Sequence, residues 1–176
     1  MRPIDADPLA ESQATLTWLI RVVLDGEALT RLSPILEADR AQAVMDLEQE
    51  NHFAPLAERA RDAGPFALHL SIQQGRLVFD IRAEDATPLT AVVLSLSPFR
   101  RLMKDYELLV DSHIKAVQEG RAERIQAIDM GRRGLHNDGA ALLRLRLEGK
   151  IDVDFETARR LFTLLCVLHQ KMDSHP

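Results

Sequence analysis

Between residues 66 and 82 apolar and polar positions alternate so regularly that a hairpin can be drawn with its register. Phe66, Leu68, Leu70 and Ile72 alternate with Ala67, His69 and Ser71; beyond Gln74-Gly75, Leu77, Phe79 and Ile81 alternate with Arg76, Val78, Asp80 and Arg82. A period of two is that of a strand with one buried face. A two-residue turn at Gln74-Gly75 sets Ile72 opposite Leu77, Leu70 opposite Phe79 and Leu68 opposite Ile81. A longer loop would oppose Ile72 to Arg76 and scramble the faces. On the other face this register places His69 opposite Asp80 and Ala67 opposite Arg82. Leu89 to Leu96 predicts a third strand, one phase of which (Val92, Leu94, Leu96) would load apolar residues onto that outer face. Leu16, Trp18, Ile20, Val22 and Leu24 alternate too, up to Asp25-Gly26, and predict a fourth strand.

Elsewhere the period lengthens. Ser33-Pro34 opens a predicted helix running towards Asn51, with Ala38, Ala41, Val44, Met45 and Leu47 at helical spacing. Ser97-Pro98 predicts a cap for a helix from Phe99 to about Glu119, its stripe being Phe99, Leu102, Tyr106, Leu109, His113 and Val117. Gly120 separates a second segment, Arg121 to Glu148, and Gly149 ends it. Asp154 suits the N-cap of a last helix, Phe155 to about Lys171, which is apolar almost all round and so belongs at the centre. The expected fold class is α+β: a small, mainly antiparallel sheet of three or four strands with about four helices, the C-terminal half all-helical. Residues 1–14, with two prolines and no periodicity, read as a mobile tail before one domain over 15–172.

Composition adds bounds. The chain has 176 residues, 46% hydrophobic and 28% charged, which suits an ordinary folded domain rather than a disordered one. The most apolar stretch, Leu161 to Leu168, is eight residues long, well short of the roughly 18–20 that span a bilayer. The N-terminus carries Asp5, Asp7 and Glu11 with no apolar core, unlike a secretory signal. A single cysteine, Cys166, forms no internal disulfide, so the economical setting is a reducing cytoplasm. Charge is uneven: residues 1–96 carry 8 arginines against 15 acidic residues, whereas 97–171 carry 14 basic against 11 acidic. Either the C-terminal half offers a basic surface to an anion or nucleic acid, or the two halves pair within one fold.

Candidate chemistry concentrates in Ile128-Asp-Met-Gly-Arg-Arg-Gly-Leu-His-Asn-Asp-Gly139. On one helix at 100° per residue, Ile128, Leu135 and Leu142 share a narrow stripe with Arg132, Gly139 and Arg146, and Asp129 and His136 flank it. Arginine and glycine where a core helix wants leucine break the binary pattern, as functional sites and buried ion pairs both do. In a functional reading, Gly131, Gly134 and Gly139 let a ligand approach; Arg132, Arg133 and Asn137 bind a phosphate or carboxylate, with Asp129 orienting His136 as a candidate acid–base group. In a structural reading, the glycines admit a close helix or mark a break, Arg132 neutralises a buried carboxylate such as Asp129, and His136 is a satisfied core residue. The segment matches no phosphate loop or dinucleotide fingerprint.

A second cluster, His69, Asp80 and Arg82 with Ser71 nearby, reads more simply as a polar cross-strand pair on a solvated face. Here Ser71 and His69 lie two apart on one strand, and no oxyanion hole is suggested. His52, His69, His113, His136, His169 and His175 are scattered without helical ligand spacing, so no metal and no cofactor are expected. Cys166 among leucines reads as inert packing.

Four segments together resemble an uncharacterised bacterial family, UPF0262, known mainly from alphaproteobacteria. They are Arg76-Leu-Val-Phe-Asp-Ile-Arg82, Ser97-Pro-Phe-Arg-Arg101, Ile128-Asp-Met-Gly-Arg-Arg-Gly-Leu-His-Asn137 and Thr157-Ala-Arg-Arg-Leu-Phe-Thr163. The resemblance runs from about residue 37 to residue 169. It implies a bacterial cytoplasmic setting and brings no catalytic residue with it. The expectation is therefore a non-enzymatic binding or regulatory protein, recognising an anionic small molecule or a protein partner through 128–139, as a monomer or a homodimer. Its alternatives are a small hydrolase or transferase acting on a phosphorylated substrate or RNA, and a structural assembly subunit. A membrane partner is not expected; nucleic acid stays among the partners to test.

Overall fold

The computed structural model describes residues 17–25 and 34–173, with side chains as far as residue 170. The tail expected at 1–14 lies outside the described residues. In chain order the elements are β1 (Leu19–Leu24), α1 (Pro34–Gln49), β2 (Phe53–Pro55), β3 (Phe66–Gln73), β4 (Arg76–Ala83), β5 (Pro88–Ser95), α2 (Arg100–Gln118), α3 (Ala122–Leu147), β6 (Ile151–Val153) and α4 (Phe155–Asp173). The class is α+β, as expected.

The β3–β4 hairpin has the register that the alternation dictates, from Ala67 opposite Arg82 through His69 opposite Asp80 to Ile72 opposite Leu77. Gln74 and Gly75 both take positive φ, 52° and 71°, the conformation of a two-residue turn whose twist matches its strands. The sheet order is β1-β3-β4-β5. It is mixed rather than purely antiparallel, because β1 runs parallel to β3, with Val22 beside Leu68 and Leu24 beside Leu70. Parallel neighbours need a crossover, and α1 and β2 lie in it.

On β5, Leu94 stands opposite Leu77 and Val92 opposite Phe79. These side chains therefore join the buried face, and the apolar load expected on the outer face falls instead to Ala91 and Val93. The C-terminal half is not all-helical. β6 pairs antiparallel with β2, joining Phe53 to Val153 and Pro55 to Ile151. Three-residue strands are too short for alternation to betray them.

Helix ends follow local chemistry unevenly. Asp154 caps α4, its Oδ1 accepting the Thr157 N–H at 2.8 Å. Ser97-Pro98 instead forms a 3₁₀ turn, Ser97–Phe99, without a side-chain cap, and α2 starts at Arg100. The buried face of α2 is Met103, Tyr106, Val110 and Ala116, one step round from the expected stripe, and Val117 is 55% exposed. α4 holds the centre: Leu161, Phe162 and Leu164 to Leu168 are all buried in one apolar cluster with the sheet and the other helices. Among the described residues no helix is long and apolar enough to cross a membrane.

Candidate functional site

α1 buries Leu36, Ala43 and Leu47, a spacing that also turns Asp39 inward. That carboxylate, 14% exposed, is engaged through both oxygens. Its Oδ1 accepts Arg132 Nη2 of α3 at 2.6 Å, and its Oδ2 accepts the Tyr106 hydroxyl of α2 at 2.6 Å. Burial and the nearby Asp39 charge push the Tyr106 phenol well above its ordinary range, so it stays protonated and donates. Asp129, one turn before Arg132, lies 3.5 Å from Arg132 Nη1 and 4.0 Å from His113 Nε2. The arginine's carboxylate partner is thus Asp39 first and Asp129 second, where the sequence reading named Asp129 alone.

α3 runs unbroken through the glycine-rich segment. Gly139 is there for packing, because a β-carbon on it would run into the Phe162 ring. At Gly134 a β-carbon would meet nothing, and at Gly131 only Leu109 at ordinary contact distance. Of the two structural readings of these glycines, a close helix holds at Gly139, and a break does not occur at any of them.

One turn beyond Arg132, His136 is buried, its ring 5.8 Å from that of Tyr106 and edge-on to Phe162 at 6.2 Å. Burial, then the charges of Arg132 and Arg159, push its pKa down to about 4 against a smaller upward pull from Asp39. At neutral pH the ring is uncharged. It is not a satisfied core histidine: its Nε2 has no hydrogen-bond partner among the described residues, and neither do Arg132 Nε and Arg159 Nε.

Asp129, Arg132, Arg133, His136 and Arg159 line one pocket of about 270 Å³. Of the residues singled out in the sequence, the structure brings four together here. Asn137, about 100° further round α3, is exposed and outside the lining. Asp39, Tyr106 and Arg159 were missed. Asp39 left a signal, a carboxylate on the Leu36–Ala43–Leu47 face, and so did Arg159, a cation inside an almost wholly apolar helix.

The second cluster is a surface pair. Arg82 grips Asp80 through Nη2 at 2.7 Å and Nε at 3.1 Å, while His69 approaches Asp25 at 4.0 Å. Among the described residues no group of three or more His, Cys, Asp or Glu is placed to hold a metal ion. Cys166 is buried and its thiol pushed well up, above all by that burial.

Residues 17–171 match the model of an uncharacterised protein family, UPF0262. A UPF0262 protein of Granulibacter bethesdensis is 63% identical over 173 residues, 96% of this chain and 97% of its own. One of a Bradyrhizobium species is 54% identical over 153 residues, covering 87% and 90%. One of Acidiphilium cryptum is 54% identical over 166 residues, covering 94% and 99%. No solved structure matches the chain.

Proposed function

The chain belongs to the uncharacterised protein family UPF0262, and we propose that it is a non-enzymatic binding protein for a small anion, held in the pocket of Arg132, Arg133, His136 and Arg159. One observation carries this reading: Arg132, His136 and Arg159, each with a buried nitrogen that lacks a hydrogen-bond partner among the described residues, line one pocket. Such groups are few in native proteins, and leaving each unpaired costs about 1–3 kcal/mol, more where charged. Three guanidinium groups against Asp129 at the lining and Asp39 behind Arg132 leave the pocket positive. Its volume of about 270 Å³ lies just below the roughly 300–1,000 Å³ range of ligand pockets, which suits a small anion or the anionic end of a longer molecule.

Binding is favoured over catalysis by His136 itself. A general acid or base works best with a pKa near the operating pH, and this imidazole is held near 4. Residues 15–172 acting as one domain, in the reducing cytoplasm, complete the proposal. The test is a titration of isotopically labelled protein with phosphate, sulfate and acetate, followed by amide and histidine resonances. At least one anion should shift the resonances of Arg132, His136 and Arg159, and Arg159→Ala should remove that response. Silence towards all three anions would overturn the reading.

A further inference from the structure

We propose, resting on the anion-binding reading above, that the ligand is a terminal phosphoryl group, a phosphomonoester or inorganic phosphate, rather than a carboxylate or a phosphodiester. The argument counts donors and oxygens. Arg132 Nε, His136 Nε2 and Arg159 Nε are buried and lack partners among the described residues, they sit on two helices, and all three side chains line the same pocket. A carboxylate offers two oxygens in one plane and is satisfied by one guanidinium fork. A phosphodiester also has only two free oxygens, its other two being esterified. A phosphomonoester presents three, arranged tetrahedrally, which matches three donors arriving from separate side chains.

Charge agrees. A phosphomonoester carries about −1.5 to −2 at neutral pH. Arg132, Arg133 and Arg159 face it from α3 and α4, with Asp129 at the lining and Asp39 behind Arg132. From α2, the Tyr106 hydroxyl is held by Asp39 and His113 faces Asp129, while the Tyr106 ring packs against His136. His136, 8% exposed and aromatic on its inner sides, serves as a neutral Nε2–H donor.

The experiment compares methyl phosphate, inorganic phosphate, methyl sulfate, dimethyl phosphate and acetate at constant ionic strength by calorimetry. Methyl sulfate and dimethyl phosphate each carry one negative charge but present three and two free oxygens, so this pair isolates geometry from charge. Methyl phosphate should bind at least tenfold tighter than dimethyl phosphate or acetate, and methyl sulfate at least threefold tighter than dimethyl phosphate. Inorganic phosphate binding tighter than the methyl ester would identify the free ion as ligand, and the reverse order an esterified one. His136→Leu and Arg159→Gln should each weaken methyl phosphate about tenfold and dimethyl phosphate by threefold or less. Should His136→Leu fail to fold by circular dichroism, Arg159→Gln and the exposed Arg133→Ala carry the comparison. Equal binding of methyl sulfate and dimethyl phosphate, or of acetate and methyl phosphate, would overturn the phosphoryl assignment while leaving an anion site. No binding by any of the five would remove the anion site itself.

Discussion

Asp39 and Arg132, 93 residues apart in sequence, meet at 2.6 Å inside the helical layer, and the same carboxylate holds the Tyr106 hydroxyl at 2.6 Å. Three helices are tied at one anionic group. The tie uses Arg132 Nη2, Nη1 turns to Asp129, and Nε has no hydrogen-bond partner among the described residues, so one arginine can be both strut and ligand donor.

Breaking that tie from either end leaves a charge stranded in a nearly dry place. Arg132→Leu or Asp39→Leu should each destabilise the fold by about 3–5 kcal/mol in denaturant melts. The double substitution should cost much less than the sum, because neither charge is then orphaned. Additive losses would show that the two side chains do not act as a pair.

His136 makes stability depend on pH with a definite sign. Its folded pKa of about 4 lies below the ordinary value of 6.5, so as pH falls the unfolded chain binds a proton first. The contribution is complete above about pH 6.5 and lost between there and about pH 4, reaching roughly 3 kcal/mol. Unfolding free energies of the parent minus those of His136→Gln, taken from pH 7.5 to 4, should fall by that order. A flat difference would mean that the imidazole titrates normally.

Two glycines on one helix should respond oppositely to the same methyl group. Gly139→Ala drives a β-carbon into Phe162 and should cost about 1–3 kcal/mol or more by overpacking. Gly134→Ala meets open space in a helix interior and should stabilise by about 0.5–1 kcal/mol. Thermal melts of the two variants decide it, and a loss at Gly134 would reveal a contact made there by something other than this chain.

Asp154 carries the start of the central helix through its bond to the Thr157 N–H. Asp154→Ala should therefore cost about 1 kcal/mol, and Asp154→Ser much less. Equal losses for both would assign the effect to charge rather than to the cap.

Local patterning made the β3–β4 hairpin legible to the residue, because a one-residue slip would turn Leu68, Leu70, Phe79 and Ile81 outward. The parallel pairing of β1 was not legible, since alternation reports which face is buried and says nothing of strand direction. The β2–β6 pair was hidden by its length. At the site, Arg132, Arg133, Asp129 and His136 stood out because they break the apolar stripe of their own helix. Asp39 and Arg159 were harder to see: each is one polar residue on an otherwise fitting face, and its meaning depends on a partner dozens of residues away.

The crossover between β1 and β3 also has a kinetic side. The β3–β4–β5 meander closes through short turns and can form early, whereas β1 reaches β3 only after the chain from Asp25 to Pro65 has been gathered into a loop. Long-range pairings form slowly because the loop entropy must be met before any contact rewards it. Asp39 rides in that loop. Until α1 brings that carboxylate to it, Arg132 has Asp129 of its own helix as counter-charge, and Asp39 completes the neutralisation when the loop is gathered.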